Sequence, residues 1–340
     1  METLNSVQEY LPQNPKLGFV FNPASTDAKR AEQKLGAYQQ TESFIPESVY
    51  VTKLGGLEAN REGLQKLLLD GAGKDDDGNV IPYDAIVNLG GDGMGDMVAN
   101  FMAGDPALTP ALRLTPIVEA GNGGVNDGHL TDFNPGDLDL TKLGGLPLVP
   151  RYPIRIETTP PDGETSVRYT SRYASLGFTA LAAEGINRPN SRQSWLRRTR
   201  LGRKALEVMV VAGALVKSSN FKLTEDGQER PVHELIISNN SRMAGFELFP
   251  GDGRQDTLHV LEAKNKLALL LKMGRLLVGR QQWQTRKQLD VIVQATGKGK
   301  QATIPSQHNG EEQRLVPGTR LVATKEKTPL WYVATRLLAA

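Results

Sequence analysis

Residues 84–102 read DAIVNLGGDGMGDMVANFM. The apolar run 84–90 predicts a buried strand ending in glycines, and Met94–Met102 predicts a short helix. Between them stands Gly90-Gly91-Asp92-Gly93. Glycines allow positive φ and let backbone N–H groups approach phosphate oxygens. The N-terminal dipole of the following helix favours an anion at the same place. Asp92 is suited to orient a bound group or to hold a metal-bound water. Taken alone, the segment also reads as an ordinary β-α turn.

The pattern repeats on both sides. LGFVFN (17–22) is a strand running into Asn22-Pro23, with a helix over Asp27–Tyr38. SVYVTKL (48–54) is a strand, and Leu57–Leu69 a helix with Leu64, Leu67 and Leu68 as its apolar stripe. LTPIVEA (114–120) is a further strand before a glycine loop. Repeated β-α-β units predict a parallel sheet covered by helices, with ligands at the carboxyl ends of its strands. After about residue 148 the character changes. VPRYPIRIETT, SVRYTSRYASLGF, PVHELIISNN, TLHVLEA, QLDVIVQAT and TRLVATK read as strands, and PPDGE and TEDGQ as hairpin turns. Two helices interrupt them, about Ser194–Val216 and Glu262–Val278.

Composition narrows the chemistry. The chain has 340 residues, enough for two domains, and no Cys, which excludes disulfide scaffolds, cysteine-ligated metals and cysteine nucleophiles. Its four His show no HxxxH spacing, against a zinc hydrolase. DDDG at 75–78 lacks the alternation and the final Glu of a calcium loop. The longest wholly apolar run, Val208–Val216, is far short of the ~20 residues that span a bilayer. Formal net charge is +2, but Gly185–Leu206 carries seven basic residues and no acidic one. Without that stretch the count is 33 basic against 38 acidic, a net of −5. The chain is thus mildly acidic with one basic patch, which has two readings: a solvated helix face, or a surface for anionic headgroups in which Trp195 is interleaved with Arg197, Arg198 and Arg200. No nucleic-acid-binding motif accompanies it.

Two more turns follow strands. Asn22-Pro23-Ala24-Ser25-Thr26 offers short polar side chains at a helix start, as phosphate ligands or as simple N-caps. Gly121-Asn122-Gly123-Gly124-Val125-Asn126-Asp127 fails as a dinucleotide fingerprint but ends in a carboxylate. NPxS, GGDG and GxxND, in this order and each after a strand, together resemble the catalytic domain of the diacylglycerol kinase family, which includes bacterial diacylglycerol, sphingosine and ceramide kinases. RYASLGFTALAAEG (172–185), the basic helix, ELIISNNSRMAGFELFP (234–250) and Asn309-Gly310-Glu311 extend the resemblance over about residues 17–325.

That resemblance implies an α/β N-terminal nucleotide-binding domain over residues 1–148, of the NAD kinase and diacylglycerol kinase type. It implies a β-rich, sandwich-like lipid-substrate domain over 149–325, with the active site in the cleft between the two. Segment 326–340 would pack back on the first domain. The implied reaction is ATP- and Mg²⁺-dependent transfer of the γ-phosphoryl group to a lipid hydroxyl. By position in the family, Asn22, Pro23, Ser25, Thr26, Gly124 and Asn126 would line the nucleotide site, and Gly90, Gly91, Asp92, Gly93 and Met94 would cradle the phosphates. Asp127 would act beside the reacting centre through Mg²⁺, Glu311 would be the general base, and Asp256 would match a structural-metal ligand. The expected partners are the lipid substrate and an anionic membrane surface, with no nucleic acid. The expected location is the cytoplasm at the inner face of the membrane, and a homodimer is compatible with the resemblance. Met94, Gly124, Thr26 and Asn309 depart from the family's GGDGT, GTxND, NPxSG and DGE. They leave two alternatives: a catalytically weakened lipid- or nucleotide-binding relative, or a kinase for a soluble substrate of the NAD kinase superfamily.

Overall fold

The structure, a computed structural model, describes residues 10–25, 27–53, 55–122, 138–187, 200–239, 242–243, 246–247, 257–277, 283–296, 303–308 and 311–334. Its first part alternates strands and helices: β1 (Leu17–Phe21), α1 (Ala28–Tyr38), β2 (Val49–Val51), α2 (Gly56–Asp70), β3 (Ala85–Leu89), α3 (Asp92–Gly104), α4 (Pro110–Arg113), β4 (Ile117–Glu119) and β5 (Leu148–Arg151). All five residues of β1 and of β3 are buried, as strands of a parallel sheet covered on both faces must be. One cover is α2 and α3, through Leu64, Leu67, Leu68, Val98, Phe101 and Met102. The other is α1, through Ala31, Leu35 and Tyr38.

The second part is antiparallel and β-rich: β6 (Ile154–Thr159), β7 (Ser166–Thr170), β8 (Tyr173–Gly177), α5 (Phe178–Asn187), α6 (Arg200–Lys217), β9 (Phe221–Glu225), β10 (Gln228–Val232), β11 (Glu234–Ser238), β12 (Arg242–Met243), β13 (Phe246–Glu247), β14 (Leu258–Ala263), α7 (Lys266–Leu277), β15 (Gln284–Arg286), β16 (Gln288–Ala295), β17 (Ile304–His308), β18 (Glu311–Leu315) and β19 (Thr319–Lys325), after which β20 (Leu330–Val333) returns to the first sheet. Two six-stranded sheets form, β10-β9-β16-β19-β6-β7 and β15-β14-β11-β8-β17-β18. Strands such as β6 alternate buried and half-buried residues, because one face meets the other sheet. Between the sheets lies an apolar core that includes Ile156, Leu176, Leu223, Ile237, Val260 and Val291. Helices α5, α6 and α7 meet around Phe178, Ala182, Ala214 and Leu269.

The first sheet has the order β2-β1-β3-β4-β20-β5. Strand β20 runs parallel to β4 and antiparallel to β5, so a strand that follows the whole sandwich lies between two that precede it. The order reverses beside β1: the chain moves from β1 outward to β2 and returns to β3 on the other side. The crevice outside the carboxyl ends of β1 and β3 is therefore the topological switch point, where open α/β sheets bind ligands.

Several sequence expectations are sharpened. VPRYPIRIETT is two strands in different sheets, β5 and β6, broken before Pro153, where X-Pro geometry and the missing N–H interrupt a ladder. SVRYTSRYASLGF is likewise two strands, β7 and β8, with Ser171-Arg172 at the corner between sheets. TEDGQ is a two-residue hairpin turn with Asp226 and Gly227 both left-handed, the conformation an Asp-Gly pair favours. Helix α3 begins at Asp92, two residues earlier than its apolar pattern suggests. Among the described residues no helix is long and apolar enough to cross a membrane.

Candidate active site

The turns after β1, β3 and β4 are brought side by side by the sheet. Asn22 N donates to Leu89 O at 3.4 Å, and Asn122 N donates to Gly90 O at 3.3 Å. Asn22 Oδ1 accepts from Ala24 N at 2.9 Å, an Asx turn that bends the chain out of β1. Gly91 caps α3, and Met94 N and Gly95 N both donate back to Gly91 O at 3.1 Å. The glycines of this turn do not take the positive φ that the sequence suggested. Gly91 has φ −87°, and neither Gly90 nor Gly93 is left-handed. Gly90 instead lies close against the Met94 side chain: a Cβ there would stand 2.5 Å from Met94 Cε. The left-handed glycine of the site is Gly121, with φ +68°. Met94 is 7% exposed and belongs to the apolar core with Val98 and Phe101, so its bulk is taken up inside the domain.

Several polar groups here are buried and have no hydrogen-bond partner among the described residues. They are Ser25 Oγ, Asn88 Oδ1, and both Nδ2 and Oδ1 of Asn122, whose residue is wholly inaccessible. Buried polar groups are ordinarily satisfied, and each one that is not calls for an explanation. A polar ligand at the strand ends would supply the missing partners. Lys34, from α1, brings a cation to the same place, its Nζ donating to Ala120 O at 2.8 Å.

Behind the turn lies a charged cluster at the domain boundary. Arg172, from the β7–β8 corner, is 1% exposed. Its Nη2 lies 2.8 Å from Glu119 Oε1, and its Nη1 lies 3.0 Å from Asp92 Oδ1 and also donates to Asp92 O. Asn88 Nδ2 donates to Glu119 Oε2 at 2.7 Å. Asp96 Oδ1 accepts from Thr170 Oγ1 and Ser171 N, each at 2.9 Å. Burial alone would lower the pKa of Arg172, but the carboxylates of Asp92, Glu119 and Asp96 outweigh it and raise the value. Asp92, expected to orient a bound group or hold a metal-bound water, has a cationic partner from the sandwich.

At the far end of the sandwich ladder, His308 on β17 stands opposite Glu311 on β18, with Asn309-Gly310 between them. Asn-Gly is the sequence a two-residue hairpin favours. Burial, with a contribution from Arg168, pushes the His308 imidazole down to about 3, so it is neutral near pH 7. A cavity of about 580 Å³ opens between the domains, bounded by Gly56 and Arg61 of α2, Asn100 of α3, Arg155, Tyr169 of β7 and Glu312 of β18.

Thr26, Gly124, Asn126, Asp127, Trp195, Arg197, Arg198, Asp256 and Asn309 lie outside the described residues, as do the side chains of Arg200 and Glu311. Arg172, Glu119, Asn88, Asn122 and Lys34 were not assigned from sequence. Asn88 and Glu119 carried a signal, since each is a polar residue inside an otherwise apolar buried strand.

No protein-family model matches the sequence, and no curated protein sequence matches it. Solved structures do. A crystal structure described as a diacylglycerol kinase from Bacillus anthracis str. Sterne superposes with a TM-score of 0.58 over 96% of this chain and 99% of that one, at 13% identity. A second crystal structure from the same organism, provisionally assigned the same activity, gives 0.57 over 95% and 99%, at 14% identity. This chain has the diacylglycerol kinase fold. The likeness extends over both the α/β domain and the sandwich, in a single arrangement.

Proposed function

We propose that the protein is an ATP-dependent lipid kinase that transfers the γ-phosphoryl group to a hydroxyl of diacylglycerol or a related lipid. The observation that carries the reading is the set of unpartnered buried polar groups, Ser25 Oγ and the Asn122 amide, beside the N-terminus of α3 at the switch point. Such a site suits a polyphosphate: backbone N–H groups and the helix dipole meet negative charge, and Lys34 adds a cation. The lipid acceptor is supported by the order of NPxS, GGDG and GxxND and by the fold shared with the bacterial enzymes.

Among the described residues there is no cluster of three metal-ligating side chains. A Mg²⁺ that keeps its waters and binds phosphates needs only one or two carboxylates, for which Asp92 and Asp127 are the candidates. Bound there with the nucleotide, it would neutralise phosphate charge. The protein's own contribution is positioning. The α3 N-terminus holds phosphate oxygens, Arg172 fixes Asp92, and Glu311 receives the acceptor's proton as general base. Trp195, Arg197, Arg198 and Arg200 meet the anionic surface in which the substrate lies.

The test is incubation with labelled ATP, Mg²⁺ and a panel of diacylglycerol, monoacylglycerol, sphingoid and ceramide acceptors. A labelled lipid is expected, and Asp127→Asn and Glu311→Gln should each abolish it. ATP binding by calorimetry without product from any acceptor would favour the weakened relative instead. No ATP binding and no product overturns the proposal. Wild-type rates in both variants would show that other carboxylates do the chemistry. Arg197→Glu with Arg198→Glu should weaken binding to anionic vesicles, and unchanged binding would leave that segment a solvated face.

A further inference from the structure

Two helices on the sandwich turn apolar residues outward. On α6 these are Val208, Met209 and Val216, and on α7 they are Leu267, Leu270 and Leu271, all 50–79% exposed. Positions i, i+3 and i+4 of α7 form a helical stripe. A surface helix ordinarily directs one such stripe into the protein. Helix α7 does this with Ala268 and Leu269, which join the cluster containing Ala214 and Leu215 of α6, and it carries a second stripe on the opposite side. The two helices touch where Lys266 Nζ, at the start of α7, donates to Val216 O, at the end of α6, at 3.0 Å.

Cations frame this surface. Lys217, Lys264, Lys266 and Arg275 are exposed around it. From Ala263 to Trp283 the sequence has five basic residues and no acidic one. In sequence, α6 carries four basic residues against a single acid, Glu207. A second copy docked by a two-fold axis would set these cations against themselves. An anionic lipid surface complements both features, taking apolar side chains below the headgroups and cations at their level.

We propose that α6 and α7 lie flat on an anionic bilayer and insert Val208, Met209, Leu267, Leu270 and Leu271 at the headgroup–acyl boundary. The inference goes beyond the kinase reading and does not need it, since vesicle binding requires neither ATP nor turnover. It also adds α7, which the basic segment Gly185–Leu206 does not include.

The chain has no Cys, so Leu271→Cys introduces a unique thiol for an environment-sensitive nitrobenzoxadiazole label. Vesicles of phosphatidylglycerol and phosphatidylcholine, 1:1 by design, should shift its emission to the blue, while pure phosphatidylcholine should not. The same label on Lys74→Cys, on an exposed loop of the first domain, should not respond. Leu270→Glu with Leu271→Glu should reduce co-sedimentation with the anionic vesicles at least about ten-fold. If that variant misfolds, the label at position 271 decides alone. A label that stays in water on anionic vesicles overturns the proposal, as does wild-type vesicle affinity in a folded double variant. A wild-type dimer made monomeric by the double variant, with vesicle binding unchanged, would assign the face to a second copy.

Discussion

Arg172 Nη2 lies 2.8 Å from Glu119 Oε1, across 53 residues of sequence and across the boundary between the two domains. Through its other nitrogen Arg172 also reaches Asp92, at the first turn of α3. One guanidinium from the sandwich thereby fixes the end of β4 and the start of the helix that follows β3. Removing one partner of a buried charge set leaves the others uncompensated, which typically costs about 3–5 kcal/mol. Arg172→Met should therefore lower stability in urea by that order. Arg172→Lys should not restore it, because an ammonium cannot present the planar fork that spans two carboxylates. Full stability in the Lys variant would show that charge alone suffices.

Gly95 sits inside α3, where Gly→Ala ordinarily stabilises a helix by up to ~1 kcal/mol. Here the sign should reverse. A Cβ at Gly95 would stand 2.4 Å from Glu119 Oε1 and 2.7 Å from both Arg172 Nη2 and Asn88 Nδ2. Displacing that set should cost about 1–3 kcal/mol, read from the urea midpoint. A stabilised Gly95→Ala would mean the cluster yields freely.

Asn122 separates ligand binding from stability. Its amide has no hydrogen-bond partner among the described residues although the residue is inaccessible. Asn122→Ala removes an unsatisfied buried group, so the Tm should not fall by more than a few degrees. A hydrogen bond to a charged ligand is worth about 1.5–3 kcal/mol, so ATP affinity should weaken at least about ten-fold by calorimetry. Unchanged affinity would place the nucleotide elsewhere.

Glu234 makes stability depend on pH. Burial pushes its carboxyl from the ordinary value of 4.5 up to about 8, with the N–H of Thr179 pulling weakly the other way. Between those values the folded carboxyl keeps a proton that the unfolded one has lost. The folded state then binds more protons, and stability falls as pH rises. His308 acts oppositely: with its imidazole held at about 3 against 6.5, the unfolded state binds more protons between those values, and stability rises with pH. Above pH 6.5 the Glu234 effect stands without opposition from His308. Glu234→Gln should be less sensitive, so the Tm of the wild type relative to the variant should drop from pH 5 to pH 8. A constant difference across that range would show Glu234 ionised throughout.

What the sequence revealed was local. The β-α units, the GGDG turn and the TEDGQ hairpin each depend on a few adjacent residues whose backbone preferences are written in their types. The cluster around Arg172 could not be seen that way. An arginine at a strand corner has no periodic signal, and its partners Asp92 and Glu119 come from another domain. The pairing of β20 with β4 and β5 was hidden for a related reason, since register between strands about 180–210 residues apart is set by the whole fold. The positive φ expected in 90–93 is found instead at Gly121, because glycine type alone does not say which position of a turn is left-handed.

The place of β20 has a consequence for the order of assembly. Strands β4 and β5 have no direct ladder to each other in the first sheet, and β20 fills the gap between them. During vectorial synthesis the sandwich, finished at Lys325, emerges complete while that gap is still open. The α/β sheet is then completed last, beside a sandwich already presenting Arg172. A nascent chain halted before Leu330 would carry a folded second domain beside an α/β sheet with a raw edge, the kind of surface that chaperones hold and proteases find.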